Sequence, residues 1–206
     1  MKILLRDIKQ EMCNAWTHFF KGIEDVEVSC GHILKDVQAD AIVSPANSYG
    51  FMDGGIDAIY TMHWGQQMQD RLQELLRNEY DGELPVGEAV IIETGGDDIK
   101  WLISAPTMRV PMPVDKTVNA YLAFRAILRT VKKWNKKYHQ ATRNQINTIL
   151  CPGLGTAVGQ MPYHTCAKQM FFAYVTVVLG KQQQISDLTD AWALHDNLVL
   201  PWYNGK

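Results

Sequence analysis

Hydrophobic residues occur along this chain as short continuous runs, separated by longer stretches in which they recur every three or four positions. Six runs have the length and the bounding turn residues of strands: Lys2–Leu5, Val26–Cys30, Ala41–Val43, Ala89–Ile92, Trp101–Ser104 and Ile146–Leu150. The third run is apolar throughout and the sixth ends in Ile149 and Leu150, and both have the length and apolar content of strands buried on both faces. The glycine-containing stretch Glu93–Asp98 predicts a hairpin between the fourth and fifth strands.

The longer stretches predict amphipathic helices. Their apolar stripes are Ile8, Met12, Trp16 and Phe19; Ile56, Ile59, Tyr60, Trp64, Met68, Leu72 and Leu75; Val118, Tyr121, Leu122, Leu128, Val131 and Trp134; and Cys166, Met170, Phe171 and Tyr174. The second stripe predicts one long helix from residue 56 to about residue 76, and Pro162 is expected at the first position of the last helix. Strands that alternate with helices predict an α/β sheet covered by helices on both faces, with ligands at the carboxyl ends of the strands.

Two of the buried strands end in loops that contain glycine and run into a helix, namely Ser44–Gly55 and Pro152–Met161. A helix N-terminus offers unpaired N–H groups and a partial positive charge, which suit a phosphate group. Glycine also allows a ligand to approach the backbone closely. The second loop, CPGLGTAVGQMP, matches neither the Walker pattern nor GxGxxG. On these residues alone, a phosphate site and ordinary turn chemistry both stay open.

Composition and charge narrow the class of protein. The 206 residues, 47% hydrophobic and 20% charged, predict one domain over residues 1–206. A formal net charge of −2 gives no general attraction to nucleic acid or to an anionic membrane. Since no segment resembles a membrane span or a signal peptide, we expect a cytoplasmic protein with no membrane partner. The four scattered cysteines predict reduced thiols, and we expect no metal and no cofactor.

Three blocks of sequence, in order, resemble the macro domain family. ADAIVSPANSYGFMDGGIDAIY resembles the family's DAIVNAAN strand, Gly-rich loop and GVDGAIH-like residues. GELPVGEAVI is similar to its PTGEA segment, and ILCPGLGTAVGQMP is similar to its PALGTGIYGFP loop. The resemblance extends from about Val28 to Met170. It implies a three-layer α/β/α sandwich with a mixed central sheet, and it implies ADP-ribose as the ligand.

The resemblance also assigns residues to this ligand. By that resemblance Gly54, Gly55 and Ile56 belong to the first diphosphate-binding loop, and the second loop comprises Gly155, Thr156, Ala157, Val158 and Gly159. We count Ile33, Ala46 and Gly153 among the ligand-binding residues as well. Both loops are therefore expected at one edge of the sheet.

Two further residues are implied to act on the distal ribose. Asn47 matches an asparagine that contacts the ribose hydroxyls, and Asp57 matches the aspartate of hydrolytic MacroD-type members, which is thought to position or activate water. An Asn side chain can both donate to and accept from a diol, and negative charge stabilises an oxocarbenium-like transition state. Two ordinary roles stay open: Asp57 as a first-turn acid favoured by the helix dipole, and Asn47 as a turn residue.

Four positions depart from the family pattern. Gly31-His32-Ile33 stands where the family has GDI, whose Asp accepts from the adenine amino group. A neutral His32 can take over that role through one ring nitrogen; otherwise the contact is lost or supplied elsewhere. Val158 replaces an aromatic residue, Thr61 a histidine, and Ser44 the first Asn of NAAN.

Other residues suggest weaker alternatives. Cys151 and His164 form a nominal nucleophile and base, although packing is the simpler role for Cys151. The segment 187–202 either supplies an aromatic wall for the adenine or docks as a C-terminal element. The lysines at 132, 133, 136 and 137 suit either a nucleic-acid patch or a solvated helix end.

The leading functional hypothesis is hydrolysis of mono-ADP-ribosyl linkages by Asp57 and Asn47. The partner would be ADP-ribose, or an ADP-ribosylated protein, nucleic acid or small molecule, and we expect a monomer. Three alternatives stay open: a reader that binds ADP-ribose without turnover, a phosphatase acting on ADP-ribose 1″-phosphate, and a structural protein with a vestigial pocket.

Overall fold

The structure, a computed structural model, describes residues 1–200, and at its centre lies one six-stranded sheet. In chain order the strands are β1 (Lys2–Asp7), β2 (Val26–Cys30), β3 (Ala41–Ser44), β4 (Val90–Glu93), β5 (Trp101–Ser104) and β6 (Thr148–Cys151). Their order across the sheet is β2-β1-β6-β3-β5-β4. All neighbours pair in parallel except β4, which pairs antiparallel to β5. The predicted mixed sheet and the predicted hairpin between β4 and β5 are both confirmed.

Helices cover both faces of this sheet, as the alternation predicted. They are α1 (Gln10–Phe19), α2 (Gly55–Trp64), α3 (Gln67–Glu79), α4 (Asn119–Lys137), α5 (Tyr163–Val177) and α6 (Leu188–Val199). Trp16, Phe124 and Met170, from α1, α4 and α5, belong to the apolar cluster of one face, and Tyr60 and Leu72, from α2 and α3, to that of the other. Across the part of the chain that the structure describes, no helix is long and apolar enough to cross a membrane.

The single long helix predicted from residue 56 was wrong, because the chain breaks at Gly65. The φ of Gly65 is 91°, a left-handed conformation that favours glycine, and its N–H caps α2 by donating to the Thr61 carbonyl. The apolar spacing continues across this break, since α2 and α3 pack on the same face of the sheet. Periodicity alone therefore could not reveal the turn.

Two predicted helix positions also differ from the structure. Ile8 was expected in the apolar stripe of α1, but it lies in the turn before that helix and is 65% exposed. Pro162 is the N-cap of α5 and not its first residue. Both differences fall at a helix start, where a periodic pattern fixes the boundary poorly.

Helix α6 docks on α5 through two buried polar side chains. Lys168 donates from Nζ to the carbonyls of Asn197 and Leu200, at the C-terminal end of α6. Gln169 donates to the carbonyls of Thr117 and Leu198. These bonds hold the last described helix on the layer of α4 and α5.

Candidate functional site

One cavity of about 420 Å³ lies at the carboxyl ends of the parallel strands. Residues following β1, β2, β3, β5 and β6 all contribute to its wall. Every ligand-binding and catalytic residue that the sequence suggested lines it: His32, Ile33, Ala46, Asn47, Gly54, Gly55, Ile56, Asp57, Gly153, Gly155, Thr156, Ala157, Val158 and Gly159. The two glycine loops therefore share one cavity, although the role of each residue stays a prediction.

The first loop delivers the N-terminus of α2 to this cavity. Gly54 is the N-cap of α2, so no cap side chain covers the first N–H groups of the helix. Gly55 has a φ of 57°, which suits glycine. A Cβ added to Gly54 would meet no atom within 4 Å, so this position borders open space. The geometry leaves backbone donors and a helix dipole available to an anion.

The second loop is held in shape by backbone hydrogen bonds, one within the loop and one from Val114 outside it. The N–H of Val114 donates to the Gly159 carbonyl at 2.7 Å, and the N–H of Met161 donates to the Gly155 carbonyl at 3.0 Å. A Cβ on Gly159 would lie only 2.5 Å from the Gly155 oxygen, so a larger residue does not fit without a backbone shift. Close backbone packing thus explains this glycine.

Sequence reasoning missed the contribution of β1. Asp7 accepts from the N–H of Lys9 through Oδ1 and from the N–H of Gly153 through Oδ2, and so ties the second loop to the end of β1. Arg6 donates from Nε to the His32 carbonyl and holds the loop after β2. Both residues line the cavity. The rule that ligands bind at the carboxyl ends of strands was the available signal.

Asn47 organises the first loop. Its Oδ1 accepts from the N–H groups of Tyr49 and Phe51, and its Nδ2 donates to the Phe51 carbonyl at 2.8 Å. The interpretation of Asn47 as a turn residue is therefore confirmed. Both lone pairs of Oδ1 are used in this arrangement, so one Nδ2 hydrogen is what the side chain retains for a ligand.

Asp57 lies in the first turn of α2 and lines the cavity, yet it is only 7% exposed. Its Oδ1 is buried without a hydrogen-bond partner among the described residues. Burial raises the pKa of Asp57 to about 7, and the nearby Ser44 hydroxyl offsets part of this rise. The helix dipole favours a charged first-turn acid, but desolvation dominates here.

The free ring nitrogen of His32 is a hydrogen-bond donor in this conformation, whereas the proposed contact with adenine needs an acceptor. Its Nδ1 accepts from the N–H of Leu34 at 3.3 Å. In a neutral imidazole the proton then resides on Nε2, which becomes a donor. This conformation does not suit acceptance of an adenine amino group through the His32 ring.

The second loop has no aromatic residue at the cavity, but the first loop places an exposed one there. Val158 is 54% exposed, and Phe51, on the first loop, is 52% exposed; both line the cavity. The sequence alone did not suggest Phe51 as a site residue. Its ring offers an apolar face at the same cavity as Val158.

The remaining candidates do not reach this site. Cys151 is fully buried, its pKa is raised well above the ordinary value by burial, and the ring of His164 packs against that of His18 instead. In the segment 187–202, the described part docks through α6, and Trp192 is 60% exposed and not at the cavity. Trp202 lies outside the described residues. The docking interpretation of this segment holds for its described part.

Comparison of sequences identifies a family. Residues 43–170 match the sequence model of the Macro domain family. A protein of Aquifex aeolicus, described as uncharacterized, is 32% identical over 71% of this chain and 78% of its own length. Another from Aeropyrum pernix, described in the same way, is 32% identical over 78% of this chain and 75% of its own length.

Solved structures share the fold at lower identity. A mutant of the Oceanobacillus iheyensis macrodomain with ADPR matches with a TM-score of 0.58 and 22% identity, over 74% of this chain and 77% of that one. The macrodomain of Mycobacterium tuberculosis DarG matches with a TM-score of 0.57 and 20% identity, over 71% of this chain and 87% of that one. At these identities the likeness establishes the architecture.

Proposed function

This chain belongs to the macro domain family, and on that premise we propose that it binds ADP-ribose and hydrolyses mono-ADP-ribosyl linkages. ADPR is present in the structure of the Oceanobacillus iheyensis macrodomain mutant that shares its fold. The cavity volume falls within the range of small-molecule sites. Binding is the part of the proposal that the family supports directly.

The order of the strands supports an extended ligand. From β2 to β5 the cavity spans four interstrand spacings, or about 19 Å at roughly 4.8 Å each. The glycine loops after β6 and β3 lie in the middle of this span, where the diphosphate would bind. The base would then lie toward His32, after β2, and the distal ribose toward Asn47 and Asp57, after β3.

The burial and raised pKa of Asp57 at the cavity are the observations that support hydrolysis. A carboxyl whose pKa is raised to about 7 is partly ionised at neutral pH, as suits a general base. It lies beside the N-terminus of α2, where the proposed diphosphate is held. In this mechanism the bond from ribose C1″ to the acceptor atom breaks, the acceptor leaves with the bonding electrons, and water adds to C1″ as Asp57 takes its proton. The negative charge of the bound diphosphate stabilises the oxocarbenium-like state.

A reader without turnover is the second candidate, and Asn47 favours it. Its Oδ1 already accepts two backbone hydrogen bonds. A side chain used in this way orients a ribose less firmly than a free amide would. Binding through the backbone loops does not need that contact.

The decisive experiment follows release of free product from a panel of substrates. The panel comprises ADP-ribose on Glu or Asp, Ser, Arg and DNA, together with O-acetyl-ADP-ribose and ADP-ribose 1″-phosphate. Release of ADP-ribose from any of the first five supports the hydrolase. Phosphate release from the last alone supports the phosphatase, and tight binding with no turnover of any substrate supports the reader.

A change at Gly54 tests the position of the diphosphate. Its φ of −136° accepts any residue, and its Cβ direction is open, so Gly54→Glu adds a charge without disturbing the backbone. We expect ADP-ribose affinity to fall by roughly two orders of magnitude through charge repulsion. Isothermal titration calorimetry measures this, with Gly54→Ala as the matched control. Affinity for ADP-ribose unchanged in Gly54→Glu would place the diphosphate elsewhere.

A further inference from the structure

Three buried side-chain atoms lack a hydrogen-bond partner in the part of the chain that the structure describes, and they come from one region. They are Ser44 Oγ, Asp57 Oδ1 and Ser104 Oγ. Ser44 is 0% exposed and Ser104 is 1% exposed. A buried polar atom without a partner destabilises the fold, because it has lost its bonds to water, so such atoms are rare in proteins. Three of them in one region call for an explanation.

Strand register brings the two serines together. Ser44 ends β3 and Ser104 ends β5, and the two residues are direct partners in the parallel pair. Side chains alternate along a strand, so Ser44 shares a face with Ile42, and Ser104 with Leu102. Both of these apolar residues pack in the cluster formed by α2 and α3. The serines therefore lie on the face of the sheet covered by α2, the helix that carries Asp57.

The Ser44 hydroxyl already lowers the pKa of Asp57, and Ser104 is the strand partner of Ser44 on the same face of the sheet. A serine hydroxyl rotates freely to aim its proton, and an ionised carboxylate only accepts. A neutral Asp57 gains little from these hydroxyls, whereas an ionised Asp57 at 7% exposure has little other solvation. Tyr60, one helical turn along α2 from Asp57, interacts electrostatically with Asp57, with Cys151 on β6 and with Asp7 on β1.

None of those three groups offers a cation to Asp57. The Tyr60 hydroxyl donates to the Val43 carbonyl at 3.1 Å, and burial raises the pKa of both Tyr60 and Cys151, which keeps them neutral. Asp7 is an acid and already accepts two backbone N–H bonds. The two serine hydroxyls are the buried side-chain donors without a partner in this neighbourhood, among the residues that the structure describes.

We propose that Ser44 and Ser104 are positioning residues that donate hydrogen bonds to the ionised form of Asp57. They thereby hold the carboxylate in place beneath α2 and set the pH at which it forms. The catalytic consequence rests on the proposed function, since it needs Asp57 to act as a base. The hydrogen bonds themselves do not depend on any activity.

The test is a direct titration of the Asp57 carboxyl by carbon-detected NMR, with the signal assigned by its loss in Asp57→Asn. Ser44→Ala and Ser104→Ala should each raise the pKa of Asp57 by about one unit, because each removes a hydrogen bond to the charged form. Ser104→Thr keeps a hydroxyl, so the pKa of Asp57 in this variant should stay close to the parental value. Ser48→Ala is the matched control, because Ser48 is a buried serine whose backbone bonds Arg109 and Leu84.

Melting temperatures separate positioning from a structural role. At pH 5, where Asp57 is neutral, both alanine variants should melt at or slightly above the parental temperature, since each loses an unpartnered hydroxyl. In an active protein the acid limb of the kcat profile should rise in pH together with the NMR value. A pKa of Asp57 that stays within about 0.3 units in the double variant would overturn the proposal. A shifted pKa in a protein that hydrolyses no substrate would instead overturn the hydrolase and leave this inference standing.

Discussion

Asp57 beneath α2 and Lys168 in the contact between α5 and α6 are both titratable side chains buried in largely apolar surroundings. They are 7% and 2% exposed, and among residues 1–200 neither takes part in an ion pair. Lys168 nevertheless donates to two backbone carbonyls, whereas Asp57 leaves Oδ1 without a partner. The buried ammonium of Lys168 therefore has hydrogen-bond partners, whereas one carboxyl oxygen of Asp57 has none.

The hydrogen bonding of these two side chains indicates a structural role for Lys168 and a functional role for Asp57. Lys168 bonds the C-terminal carbonyls of α6, where a cation also meets the negative end of the helix dipole, so its burial holds a helix in place. Desolvation lowers the pKa of Lys168 and raises that of Asp57 to about 7. A buried group that borders a cavity and lacks partners is a candidate for function, because no structural gain accounts for it.

The strongest way to break this comparison is Asp57→Asn. If Asp57 is a general base, turnover on a responsive substrate should fall by about two to four orders of magnitude. ADP-ribose affinity should stay within a few-fold, because the proposed cradle is mostly backbone. Single-turnover kinetics and calorimetry measure the two effects. Parental turnover in Asp57→Asn would remove the proposed mechanism.

The raised pKa of Asp57 also predicts how the free energy of unfolding depends on pH. An unfolded Asp57 ionises near its ordinary pKa of 3.8, while the folded one keeps its proton to about pH 7. Between these values the folded state binds the extra proton, so stability falls as pH rises from about 4 through about 7. The loss is about 4 kcal/mol at 1.36 kcal/mol per unit.

Asp57→Asn should lack this loss. Urea unfolding of parent and variant at pH 4.5 and pH 8 should therefore show the variant gaining relative stability at the higher pH. A constant difference between the two proteins would indicate that Asp57 ionises normally in the folded state.

The smallest effect concerns Lys168. Lys168→Met should reduce the free energy of unfolding by about 1–3 kcal/mol, because two carbonyls at the end of α6 lose their donor. ADP-ribose affinity should not change, since α6 lies away from the cavity. Lys132→Met is the control, as Lys132 also bonds a helix carbonyl but is exposed. Weakened ligand binding in Lys168→Met alone would show that the two regions are coupled.

Much of the site followed from local sequence. The loops after β3 and β6 carry glycines that the backbone geometry favours. Two of them are Gly55 and Gly155, where φ is 57° and 71°. Their residues could be assigned to one cavity because buried parallel strands end at the same edge of a sheet. The parts that β1 contributes, Arg6 and Asp7, belong to no glycine loop and carry no such local signal.

Sequence by itself determined the alternation of strands and helices, the α/β sheet and the two loops, because apolar spacing and glycine act over a few residues. That the sheet is mixed was implied by the resemblance to the family. Tertiary structure decided the break at Gly65, the tie from Asp7 to Gly153 and the pairing of Ser44 with Ser104 at the strand ends. Strand register and burial join residues that are distant in the chain. The raised pKa of Asp57 follows from its burial, since desolvation is a property of the packed surroundings and not of the residue.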